Sequence, residues 1–128
     1  MKIAEVSQKY GVSADTLRYY ERIGLIQPVS RNASGNRDYS ELDLRRVDFV
    51  KCMRKAGLSI EVLIEYVDLV QQGDSTIALR KEILMEQRDL LAARVAEMQS
   101  TLDVLNYKIA VYEKAILTKE QQMVEPEE

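Results

Sequence analysis

Apolar side chains recur every three or four residues along most of the chain, which is the pattern of amphipathic helices rather than of strands. Near the amino terminus, Ile3, Val6 and Tyr10 share one face and predict a short helix over residues 3–10. Gly11 ends this helix, because glycine adopts the positive φ of a helix carboxyl cap without strain. The pattern therefore predicts a tight turn directly after the first helix.

A second short helix is predicted after Ser13, whose hydroxyl can cap its first turn. Leu17 and Tyr20 supply its buried face, and Val12 in the turn is available to the core. Two short helices joined in this way form a helix-turn-helix, whose second helix can enter the major groove of DNA. The end and outer face of that helix carry groups suited to phosphates and base edges, from Ser13, Thr16, Arg18, Tyr19 and Arg22.

A hairpin, here called the wing, is predicted over residues 29–39, which are dense in turn formers and have Gly35 near the tip. Pro28 separates the wing from the second helix, because proline disfavours helical geometry at the residue before it. Arg31 and Arg37 fall on opposite arms, placed to straddle a phosphate backbone. An ordinary polar surface loop is the alternative for this segment.

Two further helices complete a predicted head. Ser40 and Asp43 form a weak capping box at the start of the third helix, which Gly57 ends. Ser59 caps a fourth helix that continues to about Gln72. The predicted buried positions are Leu44, Val47, Val50 and Met53 in the third helix, and Leu63, Ile64 and Val67 with Leu69 or Val70 in the fourth.

Residues 75–119 contain neither proline nor glycine and predict one long helix, followed by a flexible acidic tail over residues 120–128. A helix of that length spans about 65 Å, so its apolar stripe needs a partner, most simply a second copy of the chain. Folding back onto the head is the alternative. The stripe, here called the seam, alternates by four and three residues through Leu84, Arg88, Leu91, Val95, Met98, Leu102, Leu105, Ile109, Tyr112 and Ile116.

Composition supports a helical protein of limited size. The 128 residues allow one head and an accessory element, and 46% hydrophobic content with five glycines and two prolines favours helix. No apolar run reaches the length of a signal peptide or a membrane span, so we expect a cytoplasmic protein with no membrane partner. The absence of His, of a nucleophile elbow and of a phosphate-cradling glycine loop argues against an enzyme.

Charge divides unevenly along the chain. The net charge of −3 alone argues against nucleic acid, but residues 1–57 hold 11 Lys and Arg against 7 Asp and Glu. Residues 58–128 hold 7 basic against 14 acidic residues. This asymmetry fits a DNA-binding head on an acidic helical body, although a solvated surface would give the same split.

Cys52, on the third helix, is the single cysteine of the chain. One cysteine without His cannot build a Zn or Cu site within one chain, so we expect no metal and no cofactor. Lys51, Arg54 and Lys55 favour its reactive thiolate form, whereas the nearby helix carboxyl end opposes it. Two hypotheses stay open: a redox or electrophile sensor, or a small buried hydrophobic residue.

Several motifs together closely resemble the amino-terminal signature of MerR-family transcription regulators, and Leu-Arg-Tyr-Tyr-Glu at residues 17–21 is the most specific. The resemblance covers about the first 72 residues in motif and the rest in architecture. Its motifs are Ile3-Ala4-Glu5-Val6, Gly11-Val12-Ser13, Thr16-Leu17-Arg18-Tyr19-Tyr20-Glu21, Gly24-Leu25-Ile26, Arg37-Asp38-Tyr39 and Gly57-Leu58-Ser59.

The resemblance implies a mainly α fold, with a winged helix-turn-helix DNA-binding domain over residues 1–72 and a dimerisation helix over residues 75–119 that forms an antiparallel coiled coil. It also implies a homodimer that bends and untwists double-stranded promoter DNA so that RNA polymerase can engage both promoter elements. Asn36 departs from the family pattern, in which an aromatic residue is frequent. The implied DNA contacts are Thr16, Arg18 and Tyr19 from the second helix, and Arg31, Arg37 and Tyr39 from the wing.

The position of Cys52 resembles the NmlR and AdhR branch of this family, which is associated with aldehydes and other electrophiles. Metal-responsive members carry several cysteines near the dimerisation helix, and drug-sensing members append a ligand-binding domain for which this chain leaves no room. An alternative regulator binds an apolar ligand through Tyr66, Tyr107 or Tyr112. A coiled-coil adaptor without DNA binding is a third possibility, but it has no need for the outward arginines.

Overall fold

A computed structural model describes residues 1–124, and within that range five α-helices and one 3-10 turn form without any β-sheet. The predicted mainly α fold with a long carboxyl-terminal helix is therefore confirmed. The chain divides into two units, the first Met1–Arg88 and the second beginning at Asp89. The helices are α1 (Ile3–Tyr10), α2 (Ala14–Arg22), α3 (Glu41–Lys55), α4 (Ile60–Gln71) and α5 (Ile77–Val124).

Local caps determine where the helices of the first unit begin and end. Ser13 Oγ accepts the backbone N–H of Thr16 at 3.1 Å at the start of α2. At the start of α3, the Asp43 N–H donates to Ser40 Oγ at 3.1 Å while the Ser40 N–H donates to Asp43 Oδ2 at 2.9 Å. Gly11 ends α1 with a φ of 66°. These caps confirm the predicted boundaries, which could be predicted because each depends on interactions within a few residues.

Two clusters of buried side chains hold the first unit together. Tyr20 of α2 packs against both clusters and so links them. Because every helix from α1 to α4 contributes to one or the other, the outer face of α2 is presented on a fixed base. The first cluster contains Val6, Leu17, Ile26, Val29, Tyr39 and Val47, and the second contains Leu25, Val50, Leu58 and Leu63.

The wing connects α2 to α3 as a short hairpin held by isolated β-bridges. Arg31 pairs with Arg37 across its two arms, and Lys2 pairs with Asp38. At its tip, the Asn32 N–H donates to the Asn36 carbonyl at 2.8 Å. The predicted hairpin is therefore confirmed over the alternative of an irregular loop, although few backbone bonds support it.

The first unit extends past the predicted end of the head at residue 72. Thr76, in the 3-10 turn before α5, donates its hydroxyl to the Leu69 carbonyl of α4 at 2.6 Å. Arg80 in α5 donates to Thr76 Oγ1 at 3.1 Å and to the Gly73 carbonyl at 3.2 Å. These bonds attach the first turns of α5 to the end of α4, a connection between side chains and carbonyls that helical periodicity does not reveal.

The second unit consists of the remainder of α5, and its apolar side chains are uncovered. Leu91 of the seam is half-buried, but from Val95 to Ile116 the exposed fraction of the seam residues runs from 48% at Leu102 to 72% at Met98. The helix continues to Val124, so residues 120–124 of the predicted tail are helical, and Glu and Gln there favour helix. The rest of that tail lies outside the described residues. No helix between residues 1 and 124 is long and apolar enough to cross a bilayer.

Candidate DNA-binding interface

The start of α2 carries two hydroxyl side chains that are bonded to each other. Ser13 Oγ donates to Thr16 Oγ1 at 2.8 Å and also accepts the Thr16 N–H. Ser13 is exposed, and it satisfies one of the backbone donors that a helix start leaves open. The remaining donors and the positive end of the helix dipole favour an anion at this end of α2.

The outer face of α2 presents two arginines and an aromatic ring. Arg18 pairs with Asp15 at 3.0 Å, and both side chains are exposed, by 48% and 97% respectively. A surface pair of this kind contributes under about 1 kcal/mol, so Arg18 can exchange Asp15 for a phosphate at little cost. The Arg22 guanidinium lies 5.3 Å from the centre of the Tyr19 ring. Arg18 is therefore exposed, whereas Tyr19 is half-buried beside Arg22.

The two wing arginines have different surroundings. Arg31 is exposed and donates to the Gly35 carbonyl at 2.9 Å within the wing. Arg37 instead pairs with Glu21 of α2, where Nε lies 3.3 Å from Oε1 and Nη2 lies 3.3 Å from Oε2. Both members of this pair are only 18% exposed. Arg31 is therefore available to a phosphate, whereas the guanidinium of Arg37 is already engaged.

Tyr39 departs from its expected place in the interface. It is 3% exposed in the first core cluster, and its hydroxyl has no hydrogen-bond partner among the described residues. Burial raises the pKa of this phenol above its ordinary value, an effect that Arg37 partly offsets. Because its ring is buried with Leu17 in the first core cluster, Tyr39 is not available to DNA.

Cys52 is exposed on α3, so the hypothesis that it is a buried hydrophobic residue is wrong for the single chain. Lys51 and Lys55 beside it are also exposed, and Arg54 donates to the Leu58 carbonyl at 2.7 Å. Nowhere between residues 1 and 124 do three or more potential metal-binding side chains gather. The chemistry open to Cys52 within one chain is therefore that of a free thiol.

A cleft of about 300 Å³ opens in the first unit beside α3 and α4. Its wall includes Phe49 and Tyr66, whose rings stack with centres 5.6 Å apart. Arg45 and Gln71 contribute polar groups to the same lining. Of the three tyrosines considered for an apolar ligand, only Tyr66 lines this cleft, while Tyr107 and Tyr112 are each 70% exposed on α5.

Glu21 is the interface residue that sequence reasoning missed. Besides pairing with Arg37, its Oε1 accepts the backbone N–H of Val29 at 3.1 Å, at the start of the wing. The sequence offered one signal, an acidic residue next to the cationic face of α2. Its partners lie 8 and 16 residues away, a separation at which local spacing predicts nothing.

Comparison with known families identifies two matching models. Residues 1–69 match the MerR HTH family regulatory protein model, and residues 44–107 match the model described as MerR, DNA binding. The chain is 56% identical over 91 residues to the HTH-type transcriptional regulator AdhR of Bacillus subtilis. That match covers 71% of this chain and 65% of the relative, which is just under two thirds of its length.

Other relatives match over most of their length. An uncharacterized HTH-type transcriptional regulator of Haemophilus influenzae is 34% identical, with 88% of this chain and 83% of the relative covered. A putative MerR family regulator of Listeria monocytogenes has a similar structure, with a TM-score of 0.88, 47% identity and coverage of 96% and 93%. HiNmlR, described as a MerR family regulator lacking the sensor domain and bound to promoter DNA, gives a TM-score of 0.79 at 33% identity, with coverage of 91% and 92%.

The buried phenol of Tyr39 generates a prediction about alkaline stability. Its pKa is raised in the folded state because burial favours the neutral phenol. The contribution of Tyr39 to the free energy of unfolding is therefore complete below about pH 10, and it is lost as the pH rises further and the phenol ionises. Tyr39→Phe should therefore flatten the fall in unfolding free energy above pH 10, measured by urea denaturation at fixed protein concentration. At pH 7 it should be neutral or stabilising by up to about 1 kcal/mol, since no hydrogen bond is lost.

The control is Tyr107→Phe, which removes an exposed phenol and should leave the pH profile of the wild type unchanged. A loss of more than about 1 kcal/mol in Tyr39→Phe at pH 7 would contradict an unpartnered hydroxyl.

Proposed function

The chain belongs to the MerR family of DNA-binding transcriptional regulators, and we propose that it acts as a homodimer that bends and untwists promoter DNA when electrophiles modify Cys52. The observation that carries the DNA-binding part is the outer face of α2 with the wing beside it. Exposed cationic side chains, Arg18 and Arg22 on α2 and Arg31 on the wing, are presented by one rigid core.

In this proposal α2 enters the major groove and Arg31 meets a neighbouring phosphate. Ser13 and Thr16 lie at the start of α2, where backbone donors and hydroxyls suit a phosphate. Arg18 and Tyr19 are the side chains with the reach to contact base edges. So small a set of base-reading groups favours recognition through the shape and deformability of the DNA.

The homodimer rests on the exposed seam of α5. Met98, Leu102 and Ile109 are between 48% and 72% exposed. Exposing a continuous apolar stripe of this kind to water is unfavourable, so an unpaired helix is expected to associate. A second copy placed antiparallel would cover the stripe and hold two α2 helices at a fixed spacing. A dimer with such fixed geometry can transmit a local change into bending and untwisting of the DNA, which would let RNA polymerase engage the promoter.

The proposed signal is covalent addition at Cys52. Its thiolate sulphur attacks the carbonyl carbon of an aldehyde, the electron pair of the C=O double bond moves to oxygen, and that oxygen takes up a proton to give a hemithioacetal. No redox partner is required. The exposed position of Cys52 between the cations Lys51 and Lys55 supports this step, as does the 56% identity to AdhR over 91 residues.

A second candidate is a regulator that binds a non-covalent ligand. The cleft beside Phe49 and Tyr66 supports it, because an apolar lining with a few polar groups is typical of small-molecule sites. The two candidates differ in their dependence on the thiol. An inducer that acts equally on a Cys52→Ser variant would favour the cleft.

The DNA interface predicts a specific effect of Arg18→Gln. A duplex selected by the wild-type protein from a random-sequence pool serves as the operator, and affinity is measured by fluorescence anisotropy between about 50 and 200 mM salt. Loss of one phosphate or base contact should weaken binding by about 1–3 kcal/mol and, for a phosphate contact, reduce the salt slope by about one.

Lys114→Gln, which removes one positive charge from exposed α5, is the control and should bind as the wild type does. Equal losses in both variants would contradict the placement of the interface on α2.

The seam predicts that Met98→Glu weakens the dimer. A carboxylate at a position covered by the partner helix must lose its water, so the dissociation constant should rise by roughly 100-fold in sedimentation equilibrium. Tyr107→Glu alters a side chain that is exposed to a similar degree, 70% against 72%, but lies off the seam. If both variants dissociate equally, the predicted seam is wrong.

Cys52→Ser should abolish the response to aldehydes without abolishing DNA binding. We expect formaldehyde or methylglyoxal to raise promoter output with the wild-type protein and to leave it unchanged with the variant. Titration with a chromogenic disulfide reports on this site directly, since the chain has one cysteine. Met53→Leu on the same helix is the control and should respond normally. A full response of Cys52→Ser would rule out the proposed signal.

A further inference from the structure

We propose that Glu21 is a positioning residue that holds the wing against α2 in the geometry needed for DNA binding, and that Arg37 binds Glu21 rather than a DNA phosphate. This inference rests on the proposed DNA interface and assigns different roles to the two wing arginines: Arg31 contacts DNA, and Arg37 holds the wing in place.

The geometry of Glu21 supports this role. Its two carboxylate oxygens accept from Nε and Nη2 of Arg37, each at 3.3 Å, and Oε1 also accepts the Val29 N–H at 3.1 Å. One side chain of α2 therefore holds both ends of the wing, at Val29 and at Arg37. A two-point contact between a guanidinium and a carboxylate fixes orientation as well as distance.

Burial separates this pair from the other ion pair of α2. Arg37 and Glu21 are each 18% exposed, whereas Arg18 and Asp15 are 48% and 97% exposed. Water screens the Arg18–Asp15 pair, so that pair yields easily to a competing phosphate. If Arg37 left Glu21 for a phosphate, the half-buried Glu21 carboxylate would lose its cation, and an unpaired buried charge is destabilising.

The other support of the wing lies mainly at its base, where Val29 and Tyr39 belong to the first core cluster. Its arms are joined by the bridge between Arg31 and Arg37 and by a few backbone hydrogen bonds, and a further bridge joins the base of the wing to Lys2. These contacts fix the base of the wing and the pairing of its arms but leave the angle between its tip and α2 to side chains. Glu21 supplies that constraint, and the exposed Arg31 on the facing arm is placed by it.

The two acidic residues of α2 provide a test, because their substitutions are expected to change the affinity for DNA in opposite directions. Glu21→Gln and Asp15→Asn each replace one carboxylate by the matching amide, and each removes one negative charge near the DNA. Simple electrostatics would make both variants bind DNA more tightly. If Glu21 positions the wing, Glu21→Gln should instead bind the selected operator about fivefold to tenfold more weakly.

The experiment measures operator affinity by anisotropy at about 100 mM salt for the wild type, Glu21→Gln, Asp15→Asn, Arg37→Gln and the Glu21→Gln/Arg37→Gln double variant. We expect Asp15→Asn to bind about twofold to threefold more tightly, as the exposed control. The double variant should be no weaker than the weaker single variant, because both changes break one interaction.

A second measurement separates positioning from loss of fold. Amide ¹⁵N relaxation of residues 32–36 should show increased mobility of the wing in Glu21→Gln, while the amides of α2 keep the rigidity of the wild type.

Two results would overturn the inference: Glu21→Gln binding as tightly as Asp15→Asn, or a double variant whose loss is the product of the two single losses. If the wild type selects no operator from the pool, the proposed function falls and this inference falls with it. An operator bound equally by the wild type and by Glu21→Gln overturns the inference alone.

Discussion

The structure of the first unit depends on the burial of one face of α2. Leu17 is completely buried in the first cluster, and Tyr20 one turn later packs against both clusters. Removing apolar area of this kind from water is the largest favourable term in folding. Because this face is held by α1, α3 and the chain that follows α2, the opposite face is left rigid and free to bind. If the proposed DNA interface is correct, stability and recognition use opposite sides of the same nine-residue helix.

Much of this arrangement could be predicted from the sequence because it depends on short-range chemistry. Helical spacing identified Val6, Leu17 and Val47 as core, and Ser13 and Ser40 as caps. Tyr39 failed this logic, since its motif suggested the interface while the packing of the wing placed it in the core. The contacts of Glu21 could not be predicted either, because its partners are distant in sequence and an ion pair produces no periodic pattern.

The long helix illustrates a different limit. Its seam was predictable from the alternation of four and three, whereas its attachment through Thr76 and Arg80 was not. A hydroxyl that bonds a carbonyl seven residues away is not distinguished in sequence from any other threonine. Exposure of Cys52 is similar: its residue type and neighbours allowed a buried or an open position, and only the packing of α3 resolved the choice for the single chain.

The uncovered seam of α5 has a consequence for how promoter occupancy responds to protein abundance. Because a partner is needed to cover the apolar side chains, the fraction of paired chains rises with concentration by mass action. If the paired form binds the operator, occupancy below the dimer dissociation constant varies with the square of the chain concentration. A twofold change in synthesis or degradation would then change occupancy by about fourfold before any inducer acts.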